Sequence, residues 1–410
     1  GGRAEFCDLP SFDARAVPDE LSRDRAAWAR RPFVLRRDPA VLAARASLSK
    51  SSILHEAERS NLSTAVGYSW DIARNGGEGP QRVRLADFIR RRMHEAWFDG
   101  EAQLEPPYAF DRRGGGLPSV PGLPGRRSVH RVVDAFGAAG LAEPIGSIAM
   151  LGGPGSAVGW HRHGAALQMT AHGWKRWLLY PAGRYPPGDG PGGGFSATDW
   201  LEVVYPALRE EQRPLECVQG PGDAVYVPSG WYHAVVNLAD TLAVSVQSLA
   251  PPDGGAGDAF KDVSLERVRH LRQTEPRRLD ELEDAARAHL RAHPENDLHA
   301  RKALFYILMD RAPREAASVV LEGVARDPFH VPLQFELATW LDGRASAGDA
   351  WARRALADAV AAWEPYLKRN TRNQKALWIL SRHYKHAGDA PQYKRYHERL
   401  VQLHEKGIDR

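Results

Sequence analysis

Two stretches decide the fold: Trp160-His161-Arg162-His163-Gly164 and, further on, Gly222-Asp223-Ala224-Val225-Tyr226-Val227-Pro228-Ser229-Gly230-Trp231-Tyr232-His233. The first sets two imidazoles two residues apart. On a strand, residues i and i+2 face the same side, so both rings can point into a barrel. The second brings a third imidazole to the start of another strand, after a glycine turn. Three neutral nitrogen ligands suit Fe(II), Zn or another borderline divalent metal and leave coordination positions open. A histidine pair alone is a weak signal, since the chain has 16 histidines and most such residues sit at surfaces. His172 shows this, because nothing in its surroundings places it at a site. The pattern around the three histidines carries the reading.

Working outward, segments 145–151, 174–180, 223–227, 233–238 and 242–249 are short, and most are marked by β-branched or aromatic residues. Turn clusters such as Gly152-Gly153-Pro154-Gly155 and Pro221-Gly222-Asp223 separate them. Short strands at close spacing, without helices between them, predict an antiparallel barrel or sandwich over 145–254. Residues 1–144 mix helical and extended signals, with the apolar run Arg31-Pro32-Phe33-Val34-Leu35, the helical pattern of 85–89 and a Gly/Pro-rich loop over 114–125.

A linker, Pro251-Pro252-Asp253-Gly254-Gly255-Ala256-Gly257, ends the β pattern. Over 260–410 apolar residues recur at helical spacing, as in Ala303, Leu304, Ile307 and Leu308 or Ala376, Leu377, Leu380 and Tyr384. Breaks at 310–313, 326–328 and 387–389 predict helical hairpins, and 373–403 resembles a tetratricopeptide repeat. The expected fold class is therefore α+β: a barrel with N-terminal flanking elements, followed by an all-helical region.

The bulk numbers agree with a globular chain: 410 residues, 43% hydrophobic and 26% charged. A net charge of +4 on so long a chain gives no reason to expect a nucleic-acid or membrane-surface partner. No apolar run approaches the roughly 20 residues of a membrane helix. The chain opens Gly1-Gly2-Arg3 without a Met, as after removal of a leader or tag. For its two cysteines, Cys7 and Cys217, two buried free thiols are the plain reading and one long-range disulfide the alternative. Asn61-Leu62-Ser63 is a glycosylation sequon, of consequence only in a secreted chain.

The first half of the site, His161-Arg162-His163 through Gly173-Trp174-Lys175-Arg176-Trp177-Leu178-Leu179-Tyr180-Pro181, resembles the central motif of the JmjC family. The second, Gly222 to His233 with Asn237, resembles its closing motif. The run over 31–35 is similar to the segment that opens the N-terminal part of such proteins. The resemblance implies a double-stranded β-helix that uses Fe(II) and 2-oxoglutarate, with the metal on His161, His163 and His233. It also implies that Lys175 holds the far carboxylate of 2-oxoglutarate and that Ser245 adds a hydrogen bond. Tyr205-Pro206-Ala207-Leu208, Arg213 through Cys217 and Leu62-Ser63-Thr64-Ala65 are similar to a luminal branch of the family. That likeness implies a Cys7–Cys217 disulfide and an address in the endoplasmic reticulum lumen or secretory pathway.

Lys175 carries an argument of its own. Only 9 of the 55 basic residues are lysines, and Lys175 is the only one between Lys50 and Lys261. A composition this biased ordinarily puts Arg there. A compact ammonium suits one carboxylate in a narrow pocket, whereas the guanidinium fork is larger. The plain alternative is a surface lysine on a strand edge.

His163 departs from the pattern of most of the family, which has Asp or Glu at that position. A neutral imidazole leaves the site one charge unit more positive. Two readings follow. One is a 2-oxoglutarate oxygenase hydroxylating a protein, with the helical region recruiting a protein partner. The other is a metal-binding pseudo-oxygenase that acts as an interaction module. A three-histidine thiol dioxygenase is disfavoured, because Lys175 points to a dicarboxylate.

Overall fold

The short β-branched and aromatic runs pair into two sheets in the computed structural model. The structure describes residues 6–15, 24–69, 72, 81–95, 105–112, 116–123, 144–188, 195–248, 260, 262–293, 298–370 and 373–405. The linker over 251–257 and the ends of the loop over 114–125 lie outside them. The N-terminal flank supplies β1 (Ser11–Asp13), β2 (Phe33–Arg36), β3 (Ser63–Gly67), β4 (Gln81–Arg84) and β5 (Tyr108–Asp111). The barrel continues with β6 (Pro144–Gly152), β7 (Ala157–His161), β8 (Ala166–His172) and β9 (Lys175–Tyr180). It closes with β10 (Leu215–Gln219), β11 (Ala224–Val227), β12 (Tyr232–Asn237) and β13 (Thr241–Ser248).

The larger sheet runs β1-β2-β11-β8-β13-β6-β5-β3-β4 and the smaller β10-β9-β12-β7. The five strands expected from sequence are β6, β9, β11, β12 and β13, with ends shifted by a residue or two. The architecture is a β-sandwich followed in sequence by helices, an α+β chain.

Alternation sorts the two faces of the larger sheet. Leu167, Met169 and Ala171 of β8, Val244 and Val246 of β13 and Tyr226 of β11 are buried in one apolar cluster. Val41, Ile53 and Ala57 join them from the helices Pro39–Ser47 and Lys50–Arg59. Phe33 stacks on Tyr226 with ring centroids 4.9 Å apart, and Phe33, Val34 and Leu35 of the run over 31–35 pair with β11. Residues of the opposite parity face the smaller sheet and line the site.

The Gly222-Asp223 pair is structural. Gly222 has φ +87°, and a Cβ there would stand 2.5 Å from a Leu42 side-chain carbon. Asp223 accepts hydrogen bonds from Arg36 Nη1 at 2.7 Å, the Gly220 amide at 2.9 Å and the Arg37 amide at 3.2 Å. One carboxylate thus ties the turn before β11 to the end of β2.

Cys7 and Cys217 are joined in a disulfide 210 residues apart in sequence. Backbone bonds on either side, Asp8 N–H to Glu216 O and Val218 N–H to Phe6 O, lay the N-terminal segment along β10.

By its internal packing the chain divides into two units. One comprises Gly1–Ala182, Ser196–Leu201 and Arg209–Asp253; the other Gly183–Phe195, Glu202–Leu208 and Gly254–Arg410. Residues 183–195 and 202–208, inside the expected span 145–254, therefore group with the helices. Within that unit the Gly188 amide donates to Asp327 Oδ2 at 2.7 Å, and burial raises the Asp327 carboxyl to about 6.

The described helices of this unit include Leu298–Leu308, Pro313–Arg326, Val331–Ser346 and Ala350–Leu367. The last hairpin joins Gln374–Ala387 to Ala390–Glu405 through Gly388, left-handed at φ +75°, where glycine meets no Cβ penalty. The apolar residues read as helical faces, Ala303, Leu304, Ile307 and Leu308 with Ala376, Leu377 and Leu380, are buried.

Candidate metal centre

The three histidines converge. His233 on β12 lies directly opposite His161 on β7 in the antiparallel register, and their ring centroids are 4.2 Å apart. His163 stands 4.8 Å from His233 and 5.3 Å from His161. One ligand atom from each ring falls within 4.8 Å of the others.

The reason expected for this convergence needs one correction. β7 ends at His161, so His163 is not strand-mate to His161 but lies in the loop beyond. A separate contact holds it there: Gly230 N–H donates to His163 O at 3.0 Å. Gly230 has φ +78°, so the glycine turn that aims His233 also anchors the backbone of His163.

Each ring has its Nδ1 on a backbone carbonyl: Gly159 O at 2.7 Å for His161, Gly164 O at 2.6 Å for His163 and Trp231 O at 3.0 Å for His233. A carbonyl accepts only, so each Nδ1 carries the proton and each Nε2 presents its lone pair. Burial and mutual repulsion keep the rings uncharged. His161 is lowered to about 3, by burial first and then by His163. His163 is lowered to about 4, mainly by burial, and His233 falls well below its ordinary value for the same reasons. Three neutral, pre-oriented imidazoles fit a divalent cation such as Fe(II).

Much of the pocket comes in pairs spaced by two, as inward-facing strand residues do. Tyr108 and Phe110, Ala166 and Gln168, Lys175 and Trp177, Val225 and Val227, His233 and Val235, and Ser245 and Gln247 all line it. Ser245 is buried among them.

Lys175 is 1% exposed. Its Nζ donates to Tyr108 Oη at 2.6 Å and to Asn237 Oδ1 at 2.8 Å. Asn237 is oriented in turn, since its Nδ2 donates to Ser156 Oγ at 2.8 Å. Both Lys175 partners are neutral, burial holding the Tyr108 hydroxyl above its usual range. Among the described residues no carboxylate forms an ion pair with Lys175. Burial accordingly lowers its pKa to about 7. A buried cation without a counter-ion is costly, and a bound carboxylate removes that cost. Gln168, 6% exposed, also lines the pocket, and its Nε2 has no hydrogen-bond partner among the described residues. The unbalanced ammonium and the unsatisfied amide fit a dicarboxylate such as 2-oxoglutarate.

Tyr108, Gln168 and Gln247 were not singled out from sequence. Gln247 Nε2 lies 3.2 Å from His163 Nε2, and its Oε1 accepts from Arg112 Nη2 at 3.2 Å. His172 lines a different cavity, beside Leu48, Ile53 and Met93. Asn61 is exposed with φ +47°, just past the helix Lys50–Arg59.

Residues 196–247 match the family model described as "JmjC domain, hydroxylase". JmjC oxygenases use Fe(II) and 2-oxoglutarate. The chain is similar to JmjC domain-containing protein 8 of Rattus norvegicus, 37% identical over 95 residues, covering 23% of this chain and 34% of that protein. It is also similar to lysine-specific demethylase JMJ21 of Arabidopsis thaliana, 29% identical over 236 residues, covering 48% of this chain and 24% of that protein. The chain thus spans a quarter to a third of the length of these curated relatives. Among solved structures, YcfD, a ribosomal oxygenase from Escherichia coli in complex with cobalt and succinic acid, matches at 16% identity and a TM-score of 0.30, over 68% of each chain. At that score the likeness carries no weight.

Proposed function

We propose that this chain is an Fe(II)- and 2-oxoglutarate-dependent oxygenase that hydroxylates a protein side chain. The observation that carries the reading is Lys175, an ammonium 1% exposed in the same pocket as three neutral imidazoles, bonded only to neutral partners. A pocket built that way is satisfied by a metal and a carboxylate together.

Fe(II) with 2-oxoglutarate supplies the activation of dioxygen, with release of carbon dioxide and succinate and transfer of one oxygen atom to a C–H bond. The chain's own work is positioning. His161, His163 and His233 hold the metal through Nε2. Lys175, Tyr108 and Gln168 hold the dicarboxylate, and Ser245 adds a hydrogen bond from β13. Val225, Val227 and Val235 line the pocket with apolar surface that keeps bulk water from the reacting centre. The test is succinate release from 2-oxoglutarate with Fe(II) present, compared with the same assay without it.

A second reading is favoured by one residue. His163 stands where most of the family carries a carboxylate and leaves the metal one charge less compensated, which suits a metal-binding scaffold acting as an interaction module. In that case metal binds and succinate release stays at background.

We also assign the chain to the endoplasmic reticulum lumen or secretory pathway. A disulfide suits an oxidising compartment, and Asn61 of the sequon is exposed. The helical unit, whose final hairpin has the helix–turn–helix form of a tetratricopeptide repeat, would bind the protein partner. Its cleft lined by Arg353, Arg354, His383 and His386 supports an acidic one.

A further inference from the structure

His163 has one ring lone pair and two claimants for it. Its Nδ1 donates to Gly164 O at 2.6 Å, so Nε2 is the nitrogen left to bind a metal. The side-chain amide of Gln247 stands 3.2 Å from that same Nε2. Gln247 lies on β13, is 7% exposed and lines the pocket.

The proton positions along this contact follow from the donor inventory. Arg112 Nη2 lies 3.2 Å from the other arm of the amide, Oε1. A guanidinium donates and cannot accept, so the atom facing it is the carbonyl oxygen. The amide N–H group is thereby turned towards His163, whose Nε2 can only accept. Reversing the amide would set N–H against the guanidinium and oxygen against the imidazole lone pair, so the orientation is fixed at both ends.

The backbones on the two sides are held separately. Gln247 pairs with Gly146 of β6 and Ala166 of β8, so it sits on an interior strand of the larger sheet. His163 lies beyond the end of β7, with its carbonyl bonded to the Gly230 amide. Parting the two side chains therefore takes a rotation of the Gln247 amide and no shift of the sheet.

We infer that Gln247 is a latch on the metal centre: its amide N–H competes with the divalent cation for His163 Nε2 and must swing off that nitrogen before the cation takes it. One lone pair cannot accept a hydrogen bond and bind a metal at the same time. The inference rests on the metal assignment made above and concerns how fast the centre is loaded. A hydrogen bond of this kind favours the latched arrangement about fivefold. Only the open fraction accepts metal, and apparent affinity falls in proportion to it.

The test follows Co(II) uptake by the full chain in a stopped-flow instrument. Trp177, which lines the pocket with its ring centroid 6.0 Å from that of His233, gives a fluorescence signal that Co(II) quenches. Gln247→Leu and Gln247→Met keep the length of the side chain and remove the donor. Both should take up Co(II) about fivefold faster than wild type, while release into excess chelator stays at the wild-type rate. Thermal unfolding of each variant checks that it is folded. Uptake that is no faster in either variant overturns the inference. So does faster release, which would show the amide holding the metal rather than opposing it. If wild type takes up no Co(II) at all, the metal assignment itself fails and the latch falls with it.

Discussion

His161 and His233 form the last antiparallel pair between β7 and β12, with imidazole centroids 4.2 Å apart. Two of the three ligands are therefore placed by a sheet register rather than by a loop. Register is stiff, because a slip of either strand by one residue would turn its ring to the opposite face.

His161→Ala is expected to abolish binding of Mn(II) or Fe(II) as read by calorimetry, with stoichiometry falling from one per chain to none. Unchanged affinity in the variant would remove the metal assignment.

Lys175→Ala should weaken 2-oxoglutarate binding at least about tenfold while metal affinity holds, since it deletes the buried charge partner. Binding should also depend on pH. Lys175 is lowered to about 7 without ligand, and the ammonium form is the one that pairs, so above pH 7 binding must take up a proton. Affinity should fall by up to about tenfold per pH unit above 7, with proton uptake visible when titrations are repeated in buffers of different ionisation enthalpy. The histidines stay neutral throughout this window, because burial lowers all three far below it. A flat profile between pH 6 and 8.5 would contradict the pairing.

His163→Asp separates an oxygenase adapted to three histidines from a scaffold limited by neutral ligation. The oxygenase reading predicts equal or lower succinate release in the variant; a rise would favour the scaffold. Asp is shorter than His and loses the bond to Gly164 O, so metal affinity must be measured in the same preparation.

Reduction of the Cys7–Cys217 bond should lower stability by up to about 4–5 kcal/mol, the upper end of loop-closure arguments for so long a loop. Thermal unfolding with and without reductant is the measurement. Identical midpoints would show that the hydrogen bonds between the N-terminal segment and β10 hold without it.

Much of the barrel was legible because strand alternation and glycine turns are local signals. β6, β9, β11, β12 and β13 each announce themselves within a few residues. His161, His233 and Lys175 were legible for the same reason, each sitting in a recognisable run. Tyr108 was not, since it reaches Lys175 from β5, 67 residues away in sequence. Gln168 and Gln247 look like ordinary strand residues until the register shows which face they take. His163 was read in the right company for an incomplete reason: its anchor is a hydrogen bond from Gly230, which no spacing rule reveals. The grouping of residues 183–195 with the helical unit rests on long-range packing that composition does not encode.

The bond between Cys7 and Cys217 closes residues 7–217 into a covalent ring. His161 and His163 lie inside that ring, and His233 lies outside it. A single protease cut anywhere between the cysteines leaves both fragments linked, so two ligands cannot be carried away on a free peptide until the bond is reduced. A cut between residues 217 and 233 has the opposite result: it separates the third ligand from the other two in covalent terms, leaving non-covalent packing, including the pairs of β12 with β7 and β9 and of β13 with β6 and β8, to hold the site together.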